Sequence, residues 1–355
     1  MNSVRASAPQ LEGLVPYDPK YLPAQAMLSA NENPCDIDGA LRDEVMRAVA
    51  EVAFNRYPDP LANELRDMIA EANGLSRDHV LVGNGGDELL FNLALAWGGP
   101  GRKLLNVPPT FSVYAANARL TGTEVVNVAR GADFAIDEEA VIERLSRGDI
   151  DFAVLTSPNN PTGELASEEF IVRMLEASDA LVLVDEAYFE FAGRTVVPLL
   201  AEHENLIILR TFSKAYSLAG VRLGYVMASP SVIRELIKVR QPYSVDAVSQ
   251  AIARVVYANR AAFDPSIKAI VAERTRVFEE LSKIPGVKAY PSDANYILFR
   301  VEEAASAWDY LYDRGVLIRD FSASAMLEGT LRVTIGTAEQ NDAFLGSLRD
   351  FIDER

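Results

Sequence analysis

The chain has 355 residues, with 51 acidic side chains against 34 basic ones and a net charge of −17. A body this acidic repels polyanions, which argues against nucleic acids and anionic membrane surfaces as partners. Hydrophobic residues make up 49% and charged residues 24%, the balance of a soluble globular protein large enough for two domains and not of a disordered or fibrous chain.

In chain order, residues 1–30 are rich in Pro, Ala and Tyr without periodicity and read as an extended arm, folded onto a partner. No secretory signal and no run of membrane-spanning length is visible, which points to the cytoplasm. Leu61, Leu65, Met68, Ile69 and Ala72 recur at helical spacing before Gly74. Short apolar strands then alternate with helical stretches: Val80–Val82, Leu104–Val107, Val125–Val128, Phe152–Thr156, Leu181–Val184, Leu206–Arg210 and Gly224–Met227. Such a text predicts an α/β fold with a mostly parallel central sheet covered on both faces. The last third changes character. Two long helical stretches, about 245–259 and 266–283, precede strands at Ala294–Val301, Val316–Arg319 and Leu331–Ile335, and a helix over about 338–352 closes the chain. We expect an arm that joins the small domain over 1–45, a large domain over 46–243 and a smaller α+β domain over 244–355.

Cys35 is the only cysteine, which excludes an internal disulfide and fits a reducing compartment. His79 and His203 are the only histidines, so a polyhistidine metal centre is excluded, a histidine triad is improbable on count, and no metal is expected.

Ligands of open α/β sheets sit beyond the carboxyl ends of the strands, and the chemically notable residues fall there. Gly83-Asn84-Gly85-Gly86-Asp87-Glu88 turns a strand into an apolar helix whose first N–H groups suit one phosphate. It lacks the ending of a nucleotide P-loop and the spacing of a dinucleotide fingerprint. Ser157-Pro158-Asn159-Asn160-Pro161-Thr162-Gly163 is either a plain turn or a stiffened backbone held against a ligand oxygen. Asp185 leaves a buried strand as either a helix cap or the partner of a protonated ring nitrogen. Lys214, among Thr211, Ser213 and Arg222, is placed to form a Schiff base beside a phosphate site.

Together these segments resemble the fold-type I pyridoxal-phosphate aminotransferases of classes I and II. Asn160-Pro161-Thr162-Gly163, Asp185-x-x-Tyr188, Ser213-Lys214 and Arg222 match in order and spacing, over about residues 28–336. Within that superfamily the text is most similar to the histidinol-phosphate aminotransferases, through Leu28–Pro34, Asn55–Pro60, Val82–Gly85, Asp185–Phe191, Leu209–Lys214 and Leu331–Gly336. The resemblance implies pyridoxal 5'-phosphate as cofactor, with Lys214 as the lysine that bonds to it and moves the proton. It implies Asp185 on the pyridine nitrogen, Tyr188 and Asn160 on the ring oxygen, and Phe111 over the ring, where tyrosine is the commoner residue. Gly86 and Asp87 N–H groups, Thr211, Ser213 and Arg222 would take the phosphate, joined by Tyr57 from the second subunit of a homodimer. Gly86 stands where a small serine or alanine is usual. Tyr17, Asn33, Arg319 and Arg332 would bind substrate.

The expected reaction is transamination of L-histidinol phosphate with 2-oxoglutarate, giving 3-(imidazol-4-yl)-2-oxopropyl phosphate and L-glutamate in histidine biosynthesis. An aromatic or broad-range aminotransferase and a phosphothreonine decarboxylase-like lyase on the same scaffold are the rival readings, and a non-enzymatic binder is the plainest alternative.

Overall fold

A computed structural model describes residues 4–5, 7–14 and 22–354. A 3-10 turn at Pro9–Leu11 is followed by β1 (Ala26–Leu28), α1 (Gly39–Ala50) and α2 (Asn63–Ala72). Strands and helices then alternate through β2 (Val80–Gly83), α3 (Gly85–Trp97), β3 (Lys103–Asn106), α4 (Val113–Leu120), β4 (Glu124–Asn127) and α5 (Glu138–Leu145). The alternation continues through β5 (Phe152–Thr156), α6 (Glu168–Glu176), β6 (Leu181–Asp185), α7 (Phe189–Ala192), β7 (Leu206–Thr211) and β8 (Gly224–Ala228). Three helices follow, α8 (Pro230–Val239), α9 (Ala247–Ala258) and α10 (Asp264–Ser282), and then β9 (Lys288–Ala289), β10 (Tyr296–Arg300), α11 (Ala304–Asp313), β11 (Val316–Asp320), β12 (Thr330–Thr334) and α12 (Ala338–Asp353).

The first sheet runs β2-β8-β7-β6-β5-β3-β4. Strands β3 to β7 pair in parallel, and β8 is antiparallel to both β2 and β7. Side chains alternate strictly between faces, as the two-residue strand period requires. Ala153, Leu155, Val182, Val184, Leu206 and Ile208 pack with α2, α5, α6 and α9. Phe152, Val154, Leu181, Leu183, Ile207 and Leu209 pack with α3, α4 and α8. Strands β2, β5, β6, β7 and β8 are buried on both faces, which is why they read as unbroken apolar runs, whereas the edge strand β4 is exposed or half-buried.

The second sheet runs β1-β11-β12-β10-β9, antiparallel except for β1 on β11. Its core is shared with α10, α11 and α12. The arm expected over residues 1–30 therefore ends in an edge strand, since Ala26 and Leu28 bury their side chains in this second core. Helix α9 lies beyond the expected division at 243/244, yet its Ala253, Val256 and Tyr257 belong to the core of the first sheet. Among the described residues no helix is long and apolar enough to cross a membrane.

One buried ion pair braces the sheet near the site. In β7, Arg210 Nε donates to Glu186 Oε2 at 2.9 Å and Nη2 donates to Thr195 Oγ1 at 2.6 Å. The Phe189 ring lies 3.6 Å from the guanidinium carbon, and Glu186 also accepts the Val196 N–H at 2.7 Å. Breaking such a pair from one side leaves a buried charge uncompensated, at about 3–5 kcal/mol. Arg210→Met should lower urea-unfolding stability by that order, and adding Glu186→Leu should recover part of it. A loss within about 0.5 kcal/mol, the size of an ordinary surface change, would show that the pair does not brace the fold.

Candidate active site

Asp185 is the last residue of β6, paired in register with Thr156 at the end of β5. It is buried, and its carboxyl accepts the Tyr114 hydroxyl at 2.6 Å and the Ala187 N–H at 3.0 Å. Burial nevertheless pushes its pKa up to about 6, against the pull of those two donors. Among the described residues no cationic side chain pairs with it. A buried carboxyl in this state is matched by a ligand that brings its own positive charge, such as a protonated ring nitrogen.

Lys214 follows β7 by three residues, and its Nζ donates to the Ala30 carbonyl at 2.7 Å. Burial and the nearby charge of Arg332 push its pKa down to about 8 against the opposing pull of Glu32 and Asp87. The fraction of neutral amine at pH near 7 rises by roughly two to three hundredfold over an ordinary lysine. A neutral amine beside a site of low polarity is a carbonyl nucleophile.

A candidate anion end is built where β2 turns into α3. Gly85 takes φ +80°, and a Cβ there would lie 2.8 Å from Arg222 Nη2. Gly224 on β8 backs the same turn, where a Cβ would fall 2.8 Å from the Gly86 nitrogen and 3.0 Å from the Gly85 carbonyl carbon. Small residues thus let three segments meet. Arg222 reaches over them and pairs with the Asp87 side chain at 3.0 Å. Thr211 and Ser213 lie buried beside them, the Ser213 N–H donating to Thr211 Oγ1 at 3.1 Å. The α3 N-terminus, Arg222 and these hydroxyls form a set that suits a phosphate dianion.

Arg319 and Arg332 face each other on β11 and β12, with guanidinium carbons 5.8 and 5.6 Å from the Phe321 ring centre. Arg332 donates to the Asn160 side chain and to the Ser29 carbonyl. Asn33 donates to the Ala215 carbonyl at 3.0 Å, beside Lys214. Tyr188 is buried and accepts from Asn31 Nδ2 at 3.0 Å. Phe111 meets Tyr114 edge-on at 5.5 Å. Tyr57 stands apart from this group: it is 81% exposed and stacks on Tyr243 at 4.5 Å. Tyr17 lies outside the described residues.

Sequence reasoning gave no role to Tyr114, Asn31 or Tyr296. Asn31 is buried at φ +55°, its backbone N–H donating to Thr334 Oγ1 and its carbonyl accepting from Asn295. Tyr296 on β10 donates to the Asn159 carbonyl at 2.5 Å and so ties the second sheet to the Asn160 loop. A buried Asn in the left-handed region is a signal in itself, but φ is not visible in sequence.

Residues 24–348 match the family described as aminotransferase class I and II. The chain belongs to this family. It is 40% identical to histidinol-phosphate aminotransferase 1 of Carboxydothermus hydrogenoformans over 99% of this chain and 100% of that one. It is 42% identical to the histidinol-phosphate aminotransferase of Thermococcus kodakarensis over 92% of each chain. Among solved structures, the histidinol-phosphate aminotransferase of Sinorhizobium meliloti in complex with pyridoxal-5'-phosphate superposes with a TM-score of 0.88 at 23% identity, over 99% of each chain. That likeness shows the fold of the aminotransferase to be the fold-type I arrangement.

Two outcomes test this geometry. Capture of an added carbonyl reagent by Lys214, followed by absorbance, should accelerate about tenfold per pH unit up to about pH 8 and then level off, because the neutral amine grows until the lowered pKa is passed. A climb continuing to about pH 10 would mark an ordinary lysine. At the turn, Gly224→Ala forces backbone apart and should weaken phosphate binding and cost about 1–3 kcal/mol. Gly86→Ser, whose Cβ meets only Leu209 at 3.5 Å, should leave the fold intact. Equal behaviour of the two variants would contradict the close approach.

Proposed function

We propose that this aminotransferase binds pyridoxal 5'-phosphate and transaminates L-histidinol phosphate with 2-oxoglutarate, giving 3-(imidazol-4-yl)-2-oxopropyl phosphate and L-glutamate in histidine biosynthesis. The observation that carries the reading is the near-full-length identity to histidinol-phosphate aminotransferases, joined to a site whose cation, amine and carboxyl suit that cofactor. When bound, the cofactor serves as the electron sink for the carbon that loses its proton.

The residues divide the work. Asp185 holds a proton at the pyridine nitrogen. Tyr188 and Asn160 orient the ring oxygen, and Phe111 covers the ring face. The α3 N-terminus at Gly86 and Asp87, with Thr211, Ser213 and Arg222, anchors the phosphate. Lys214 Nζ, whose lowered pKa raises its neutral fraction, would take the proton from the substrate carbon and return it on the cofactor side. Arg319 and Arg332 hold the anionic group of either substrate, with Asn33 held beside Lys214, and Tyr17, which lies outside the described residues, is the further substrate residue that the resemblance implies. Chemistry of this kind exchanges an amine for a ketone in two half-reactions, with one substrate leaving before the other binds.

We further propose a cytoplasmic homodimer. Phe54 and Tyr57 are 79% and 81% exposed in the turn after α1, an apolar pair that a second copy would cover while Tyr57 reaches the neighbouring phosphate site. Mixing Tyr57→Ala with Lys214→Ala subunits should restore one working site per hybrid dimer; no recovery would remove the shared site.

Protein loaded with pyridoxal phosphate, given one amine and no keto acid, provides the substrate test. Histidinol phosphate should convert the cofactor to its amine form at least roughly tenfold faster than phenylalanine, a margin of about 1.4 kcal/mol in transition-state binding. Faster conversion by phenylalanine would make it an aromatic aminotransferase, and carbon dioxide from phosphothreonine would make it a lyase. Arg332→Ala should lower kcat/KM by roughly a hundredfold or more, as loss of a buried charge partner does.

A further inference from the structure

A file of hydroxyls leads away from Asp185. Tyr114 Oη lies 2.6 Å from Asp185 Oδ2 and 2.7 Å from Thr156 Oγ1. Thr156 Oγ1 lies 3.2 Å from Thr110 Oγ1, which donates to Asn159 Oδ1 at 2.7 Å. Asn159 immediately precedes Asn160, and its Nδ2 is held by the Pro109 carbonyl at 3.0 Å and Thr162 Oγ1 at 2.6 Å, so its Oδ1 faces the file as a fixed acceptor.

Proton counting gives this file two states. Each hydroxyl donates once. With Asp185 ionised, three hydroxyl protons must serve four oxygen–oxygen gaps. Tyr114 donates to Asp185, Thr156 to Tyr114 and Thr110 to Asn159, which leaves the Thr156–Thr110 gap without a proton. That gap is the longest of the four, at 3.2 Å. With Asp185 protonated, the Tyr114 and Thr156 protons reverse while Thr110 still donates to Asn159, so Asp185 donates to Tyr114, Tyr114 to Thr156 and Thr156 to Thr110, and all four gaps are filled. Tyr114 keeps its own proton in both states, since burial and Asp185 hold its pKa well above the usual phenol range.

We propose that Tyr114 is a positioning residue for the pyridine end of the site, and that the Tyr114–Thr156–Thr110 file sets the proton affinity of Asp185, the Tyr114 and Thr156 hydroxyls pointing toward the carboxylate and away from the acid while Thr110 stays on Asn159. The functional use of this device rests on the cofactor reading above. The file couples the group facing the ring nitrogen to the loop of Asn160, which faces the ring oxygen. Among the described residues, Asp87 from α3, Glu186 beside it and Tyr296 from β10 also act on Asp185, and these three do not belong to the file.

Opposite ends of the file should respond with opposite signs. Tyr114→Phe removes the donor to the carboxylate, so Asp185 should titrate higher, by roughly one pH unit or more. Thr110→Val removes the acceptor that completes the file only when Asp185 is protonated, so Asp185 should titrate lower. Thr110→Ser keeps the hydroxyl and should restore the wild-type midpoint. The experiment is a carbon-13 NMR titration of aspartate carboxyls in the cofactor-free full chain, with Asp185 assigned by Asp185→Asn. An unmoved midpoint in Tyr114→Phe, or shifts of the same sign in Tyr114→Phe and Thr110→Val, would overturn the proposal. The same chain is then mixed with nitrogen-15-labelled pyridoxal phosphate. Opposite shifts without any cofactor binding would support the file and sink the cofactor reading, whereas binding with unmoved midpoints would do the reverse.

Discussion

The site depends on one costly placement, a carboxyl buried at the end of the central strand β6. Among the described residues Asp185 has no ion-pair partner, and the protein answers its burial with a hydroxyl from α4 and a backbone N–H from the turn that follows. Two such donors do not equal the lost solvation, so the carboxyl keeps a raised proton affinity. The surrounding choices follow from that debt. Tyr114 must be a phenol, Thr156 must supply a hydroxyl in register, and the turn after β6 must bring Ala187 back toward the strand end.

A second constraint is that the two sheets meet across the site. Lys214 belongs to the first, but its amine rests on the Ala30 carbonyl of the segment leaving β1. Asn160 follows β5, yet Arg332 of β12 holds it. Tyr296 of β10 binds Asn159, and the Asp293 N–H binds the Gly163 carbonyl at 2.7 Å. The Arg332 charge also helps lower the proton affinity of Lys214. The second sheet therefore tunes the amine as well as carrying the arginines, and a shift between the sheets would alter both at once.

Much of the framework was legible in the sequence because it rests on local physics. Unbroken apolar runs marked the strands of the first sheet, and the residues just past their ends marked where Asp185, Asn160 and Lys214 would gather. The glycine turn marked a candidate anion end, and the close approach of neighbouring atoms explains why Gly85 and Gly224 are small. Residues whose importance comes from distant partners were not legible. Asn31 is made special by φ and by Thr334 and Asn295, far away in sequence. Tyr114 reads as one more apolar position of an amphipathic helix until Asp185 is brought to its hydroxyl. Helix α9 likewise looked like the opening of the second domain, because periodicity shows that a helix has an apolar face and not which core that face will join.

The central claim is that Lys214, three residues past β7 with its amine on the Ala30 carbonyl, is the group that captures the cofactor. Borohydride reduction of protein loaded with pyridoxal phosphate, followed by digestion and mass spectrometry, tests it most directly. The account predicts one pyridoxyl group per chain, on the peptide that contains Lys214, and none after Lys214→Ala. A label on any other lysine, or a Lys214→Ala protein labelled as fully as the wild type, would contradict it.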